Sequence, residues 1–343
     1  MNETQGGDRR RRKGLDNPTL DDVAREAGVS SITVSRAIHR PDSVRETTRN
    51  KVEAAIAKVG YVPNMVAGSL ASASSRFIPV IVPSLSNVVF VEVIQGLQAQ
   101  FDQHGYQMLL GNTDYSMQRE EELIRTFLGW SPTALVTTGL RHQPGLSALL
   151  ERFPRPLVEI MELGPALDMN VGMDHEKAGA AMADHLIARG YRHIVFAGTR
   201  LESNYRAAQR YAGHRTRLEK AGLAAPLMEW HQDSHFDLGA TALDEVRRHH
   251  PGVEAIHFVD DVMASGALLG AQRQGLRVPN DIAIAGFTGL PFGRSLMPRL
   301  TTISSPREAI GRLAASQIID RLEGRDPERQ IDVGFALLEG EST

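Results

Sequence analysis

Residues 19–71 read TLDDVAREAGVSSITVSRAIHRPDSVRETTRNKVEAAIAKVGYVPNMVAGSLA, and the apolar spacing in this stretch decides the fold at the amino-terminal end. Leu20, Val23, Ala24 and Ala27 recur at i, i+3, i+4 and i+7, which predicts a helix with one apolar face. Thr19 caps it, with Asp22 three residues on as in a capping box. Gly28 breaks that helix. A second is expected from Ser30 or Ser31, striped by Val34, Ala37 and Ile38, after a turn only a few residues long: a helix-turn-helix pattern. A third stripe, Val52, Ala55, Ile56 and Val59, ends at Gly60 and Pro63, ordinary stop signals. Three such helices close one small core.

A core accounts for the stripes and for nothing else. The second helix leaves Ser31, Ile32, Ser35 and Arg36 outside, and Ile32 and Arg36 share a face at a spacing of four. An isoleucine exposed in a first helical turn is explained if it meets a thymine methyl, and the arginine fork fits guanine O6 and N7.

On the residues DVAREAGVS, TVSRAI and the spacing onward to GYVPN, the segment resembles the DNA-binding headpiece of the LacI/GalR family of bacterial repressors. The resemblance implies that Ser31, Ile32 and Arg36 read bases. It also implies that Ser30, Thr33, Thr48 and Asn64 touch phosphate and fix register, with His39 on the same DNA-facing surface. The next residues, NMVAGSLA at 64–71, are too few for a helix stable by itself, and Gly68 weakens it by about 1 kcal/mol relative to alanine. In the family the matching segment is a hinge helix that orders on operator DNA. By that resemblance Val66 and Ala67 pack against the twin helix of a dimer, and Leu70 wedges into the minor groove.

Charge separates the ends of the 343-residue chain. Up to Arg76 there are 13 lysines and arginines against 9 acids, and beyond it 25 against 32. The basic end suits nucleic acid and the acidic bulk does not. RRRRK at 9–13, flanked by glycines, reads as a disordered arm, either touching phosphate or merely solvated. The chain has no cysteine, which excludes disulfides and thiolate zinc sites and suits a reducing cytoplasm. No apolar run is long enough to span a membrane, and no signal-peptide pattern is present. Signatures of phosphate loops, dinucleotide binding, metalloproteases and serine hydrolases are absent. A cytoplasmic protein, not an enzyme, with no cofactor or metal, is the expectation.

From residue 77 onward, apolar runs alternate with helical patterns. Runs at 78–82, 107–110, 134–138 and 157–160 make one parallel α/β half, and runs at 193–197, 255–259 and 282–287 make a second. Helical segments fall near 175–189, 206–221, 238–249 and 263–274. The two Rossmann-like halves resemble the periplasmic-binding-protein fold of the family's sensor domain, in which the chain crosses three times between lobes. The expected organisation is therefore a basic arm (1–17), a headpiece (18–63), a hinge and linker (64–76) and a two-lobed effector-binding and dimerisation domain (77–343). The first lobe takes about 77–175 and 306–330, and the second about 176–305 and 331–343.

Ligands in open α/β sheets collect at the carboxyl ends of strands. In the first lobe those positions offer Ser84, Ser86, Asn87 and Phe90, then Asp114 and Tyr115, then Thr138 and Arg141. In the second they offer Asp174, Arg206, Arg210, Asp260 and Thr288. Arg210, at the family's effector-contacting arginine, can take a carboxylate in bidentate fashion, and the hydroxyl, amide and acid side chains suit a polyol, so a sugar acid satisfies both. The segments VPSLSNVVFVEVIQG, HGYQMLL, VEIMEL, NVGMDHEKAG and RGYRHIVFAG are similar to the gluconate-utilisation repressors within the family. Two departures stand out. Asp260 replaces a usual asparagine, and an ionised aspartate accepts but cannot donate, which favours a hydroxyl over a carbonyl. Thr288 replaces an acid common in sugar-binding relatives.

The expectation is a homodimer that binds a pseudo-palindromic operator and is released by gluconate. Other effectors (2-ketogluconate, 6-phosphogluconate, a hexuronate) and the opposite sign of response stay open. A sugar-acid enzyme with an N-terminal helical domain is the remote rival. No heptad pattern follows the last strand, which favours a dimer over a coiled-coil tetramer.

Overall fold

The computed structural model describes residues 18–62 and 75–343. The chain divides into two compact units at Ser75 and Arg76.

In the first unit, α1 (Leu20–Ala27), α2 (Ser31–His39) and α3 (Glu46–Val59) enclose Val23, Ala24, Val34, Ala37, Val52 and Ala55. Local chemistry sets each boundary. Thr19 and Asp22 form the reciprocal capping box, and Gly28 ends α1 with a φ of 66°, which suits a residue without Cβ. Ser30 caps α2 by accepting the Thr33 N–H at 3.2 Å. Lys58 reaches back to Glu26 at 2.6 Å and ties α3 to α1.

The second unit holds two six-stranded sheets. The first lobe contributes β1 (Phe77–Val82), α4 (Val88–Gln103), β2 (Gln107–Asn112), α5 (Met117–Leu128), β3 (Leu135–Thr138), α6 (Pro144–Leu150), β4 (Leu157–Glu162) and β5 (Met169–Met173). The chain then crosses to α7 (His175–Ala188), β6 (Ile194–Thr199), α8 (Tyr205–Lys220), β7 (Leu227–Trp230), α9 (Phe236–His249), β8 (Ala255–Phe258), α10 (Asp261–Arg273), β9 (Ala283–Thr288) and β10 (Thr301–Ser304). It returns through α11 (Arg307–Leu322) and β11 (Gln330–Asp332), and ends in β12 (Ala336–Leu338). The sheet orders are β11-β5-β4-β3-β1-β2 and β12-β10-β9-β8-β6-β7, parallel throughout except for β12 against β10.

The strands read as apolar runs because helices cover both faces. Ile78, Val80 and Val82 point toward α4 and α11, whereas Ile81 points toward α5 and α6. Each fully buried aliphatic side chain contributes roughly 1.5–3 kcal/mol. The expected tail boundary is corrected: Ile331 pairs with Val171 in the first sheet, so the last crossing falls after β11, and β12 with the residues that follow it joins the second lobe.

Three helix pairs, α4 with α11, α7 with α8 and α9 with α10, meet through facing glycines. A Cβ on Gly179 of α7 would lie 2.0 Å from the Arg210 carbonyl oxygen, and one on Gly213 of α8 would lie 1.9 Å from that of Glu176. Backbone touches backbone there, and no side chain fits.

Candidate functional site

In the first unit, burial of Val34 and Ala37 turns the opposite side of α2 to solvent. Ile32 is 66% exposed, and Arg36 is exposed with no ion pair among the described residues. Ser30 and Thr33 hydroxyls lie 2.9 Å apart at the start of the helix. Ser31 donates its hydroxyl to Asp21 of α1, which leaves its oxygen lone pairs as the group free to meet a base. Thr48 is half-buried in the first turn of α3. Arg40 and Arg45, exposed around the turn between α2 and α3, add positive charge that the apolar spacing gave no reason to single out. His39 closes α2, but its side chain lies outside the described residues, as do Asn64, Ala67 and Leu70 of the expected hinge and the basic arm.

In the second unit, strand ends from both lobes face one cleft of about 430 Å³. The first lobe lines it with Ser84, Ser86, Asn87, Asp114 and Tyr115, and the second with Asn204, Ser234, Asp260, Phe236 and Phe292 among others. Ser84 accepts the amides of Ser86 and Asn87, and Asn87 both caps α4 and donates to the Tyr115 hydroxyl at 3.2 Å. Asp114 and Tyr115 have φ values of 53° and 58°, a left-handed pair that costs strain outside glycine and presents the phenol to the cleft. Asp260 caps α10 through the Met263 amide at 3.0 Å. Burial pushes its carboxyl up, while the Ser234 hydroxyl, the Met263 amide and the Arg210 charge oppose that shift.

A smaller chamber of about 180 Å³ adjoins this cleft and contains Thr138, Arg141, Glu120, Tyr205 and Arg206. Thr138 donates to the Ile81 carbonyl at 2.9 Å, and Arg141 stacks 4.7 Å over the Tyr205 ring. Arg206 is already countered: Glu162 of the first lobe lies 3.5 Å away, and the same carboxylate accepts the Leu140 amide at 2.7 Å.

Arg210 differs. It is 6% exposed, its Nη2 donates to the Val259 carbonyl at 3.2 Å, its Nη1 meets His175 Nδ1 at 3.3 Å, and its guanidinium stacks 4.1 Å from the Phe287 ring centre. No carboxylate pairs with it and its Nε has no partner among the described residues. Burial lowers its pKa to about 9, with the Asp260 charge pulling the other way. A buried cation lacking a counter-ion is a costly arrangement that an anionic ligand relieves.

Four expected effector residues, Phe90, Asp174, Arg210 and Thr288, line neither cavity. Phe90, 2% exposed, packs with Val93 and Leu97 in the first-lobe core, because it stands three residues after the Asn87 cap and so faces the sheet. Asp174 caps α7 through the Lys177 amide and pairs with the Lys177 ammonium at 3.1 Å, and it lines neither cavity. Thr288 is buried with a φ of 115°, and its carbonyl accepts from Arg307 of the first lobe. Sequence reasoning passed over Glu162, Tyr205, Asn204, Ser234 and His175. Glu162 ends a recognised strand and was within reach of the strand-end rule, whereas Ser234 follows β7, a short strand that was not anticipated.

Two family models match the chain: the lacI family of bacterial regulatory proteins over residues 19–64, and a periplasmic binding protein-like domain over 183–343. A transcriptional regulator named GntR from Pseudomonas aeruginosa is 40% identical over 95% of this chain and 96% of its own length. The chain belongs to the lacI family. A regulator also named GntR from Escherichia coli K12 is 36% identical over 95% of this chain and 98% of its own. The crystal structure of a LacI-family transcriptional regulator from Silicibacter pomeroyi superposes with a TM-score of 0.91 at 35% identity, covering 95% of this chain and 99% of that one. As a member of this family the protein is a transcriptional regulator and not an enzyme, with a helix-turn-helix unit followed by a two-lobed α/β unit. No described helix is long and apolar enough to cross a membrane.

Proposed function

We propose that this regulator is a homodimeric repressor of gluconate-catabolism genes, released from a pseudo-palindromic operator when gluconate occupies the cleft. Arg210 carries the reading. It is a buried guanidinium with no carboxylate paired to it, stacked on an aromatic ring and acted on at longer range by the Asp260 charge. A carboxylate supplies the missing counter-ion. Ser84, Asn87, Asn204, Ser234 and Asp260 line the cleft and supply donors and acceptors for several hydroxyls; Arg210 lies buried outside that lining, so the reading requires the acid to reach past Asp260, and a neutral sugar would leave Arg210 unanswered. The similarity to gluconate-utilisation repressors drawn from the cleft segments supports the same class.

On DNA, two copies would place their α2 helices in successive major grooves about 34–36 Å apart. Ser31, Ile32 and Arg36 would meet base edges, while Ser30, Thr33 and Thr48 would meet phosphate. Closing the lobes around the acid would alter the spacing of the headpieces through the segment expected from its sequence to act as a hinge.

Titration calorimetry with gluconate, 2-ketogluconate, 6-phosphogluconate and hexuronates, with and without operator DNA, tests this. Gluconate should bind most tightly, and operator should weaken it by the same factor as gluconate weakens operator, typically about 5- to 150-fold. Tighter operator binding with gluconate would reverse the sign of the response, and silence across the panel would remove the sugar-acid assignment.

A further inference from the structure

Arg210 makes two polar contacts, to Val259 and to His175, and His175 in turn reaches the first lobe. His175 opens α7, just past the segment where the chain leaves the first sheet for the second. Its buried ring lies 5.9 Å from the same Phe287 ring that carries the Arg210 guanidinium. Nδ1 is 3.3 Å from Arg210 Nη1, and Nε2 is 3.2 Å from the Met161 carbonyl oxygen.

Proton inventory fixes the roles of the two nitrogens. A guanidinium only donates, so Nδ1 accepts; a carbonyl only accepts, so Nε2 carries the hydrogen. The imidazole is neutral and in one tautomer, because a second proton would set N–H against N–H. Burial and the charges of Arg210 and Arg206 hold the ring well below the usual histidine range. Met161 belongs to β4 of the first lobe and has a φ of 90°, a conformation that costs strain in any residue but glycine and persists only where its surroundings hold it. The next residue, Glu162, faces Arg206 across the lobes.

We propose that His175 is a positioning residue that couples Arg210 to the first lobe, aiming the guanidinium through Nδ1 and holding the strained Met161–Glu162 corner through Nε2. An anion that re-aims Arg210 is then felt in the first lobe through a single ring. The inference rests on the reading of Arg210 as the acid-binding group.

Two variants of the full-length chain separate the two bonds. In His175→Asn the amide oxygen stands near Nδ1 and keeps an acceptor for Arg210 but does not reach Met161. In His175→Gln the amide nitrogen stands near Nε2 and keeps the donor to Met161 but offers Arg210 nothing. Calorimetry reads gluconate affinity, and fluorescence anisotropy reads operator affinity with and without gluconate.

His175→Gln should lose about tenfold or more in gluconate affinity. His175→Asn should lose less affinity, yet its operator response to gluconate should shrink at least about fivefold. Equal losses in both variants, or an undiminished response in His175→Asn, would overturn the proposal. A readout without gluconate is ¹⁵N NMR of the His175 ring, which should show the Nε2–H tautomer unchanged from about pH 5 to about pH 8. A ring that titrates ordinarily in the parent protein sinks the proposal. A fixed tautomer in a protein indifferent to gluconate sinks the effector assignment instead and leaves the His175 contact standing.

Discussion

Arg36 and Arg210, the arginines to which the proposed function assigns a base edge and an acid, are held in opposite ways. Arg36 stands on the exposed side of a nine-residue helix, in water and with no ion pair among the described residues. Arg210 has been stripped of water by the fold and given a carbonyl, an imidazole nitrogen and a ring face in place of a counter-ion. The first can search for its partner at little cost to the fold. On the proposed reading, the second makes the unliganded fold less stable than it could be, and a bound acid would return that stability. A helix-turn-helix unit and a two-lobed unit thus hold the same side chain at different dielectric extremes.

The largest expected effect tests that contrast directly. Arg210→Met should cut gluconate affinity at least about a hundredfold and, by removing a buried cation without a carboxylate, raise the melting temperature of the unliganded protein. Calorimetry and thermal melts read both, and a destabilised variant would mean that the guanidinium is a structural group and not a waiting site.

Alkaline pH should separate the two units next. His142 lies between Glu120 at 3.1 Å and Glu159 at 3.0 Å in the first lobe, and although burial opposes its charge, the two carboxylates raise its pKa from 6.5 to about 9. Its folded-state pKa lies above the unfolded one, so the stabilisation is complete below about pH 6.5 and fades as pH rises through about 9, on the order of 3 kcal/mol in all. Unfolding of the two-lobed unit should track that window, with His142→Gln flattening the profile, while hydrogen exchange of α1–α3 should not follow it.

Smaller still, Arg36→Ala should relax base preference at one position per half-site by about 1–3 kcal/mol, read by binding-site selection, with gluconate affinity untouched. The smallest change is Thr19→Ala, which removes one cap hydroxyl. About 1 kcal/mol of headpiece stability should go, detectable by hydrogen exchange in α1 and invisible in the sensor.

The same contrast explains what could be read in advance. The three headpiece helices, their caps and the exposed Ile32 and Arg36 lie within a few residues of one another, so periodicity and cap chemistry sufficed. Strands covered on both faces, such as β1, β4 and β9, announce themselves as apolar runs. Strands of three or four residues with mixed chemistry, β7, β10, β11 and β12, carry too few alternating positions to stand out, and the tail boundary slipped with them. Strand-end position placed Ser84, Asn87, Tyr115 and Asp260 on the cleft lining, where Asn87 and Asp260 also cap helices, but it could not tell that the capping Asp174 stands off the cleft or that Phe90 faces the core. Those distinctions depend on side-chain direction one turn into a helix. Residues brought together from distant segments, His175 on Met161 or Glu162 on Arg206, are pairings that only the folded lobes produce.

The glycine contact between α7 and α8 divides this sensor into parts that evolution can and cannot retune. Because the Arg210 carbonyl rests against Gly179 and the Glu176 carbonyl against Gly213, even one added methyl group on either side would pry the arginine from its place. The loops after β1, β2, β6 and β7 are under no such constraint. If Arg210 binds the acid as proposed, a change of sugar specificity in this architecture is expected to arise by exchanging loop hydroxyls and amides while the arginine stays where it is.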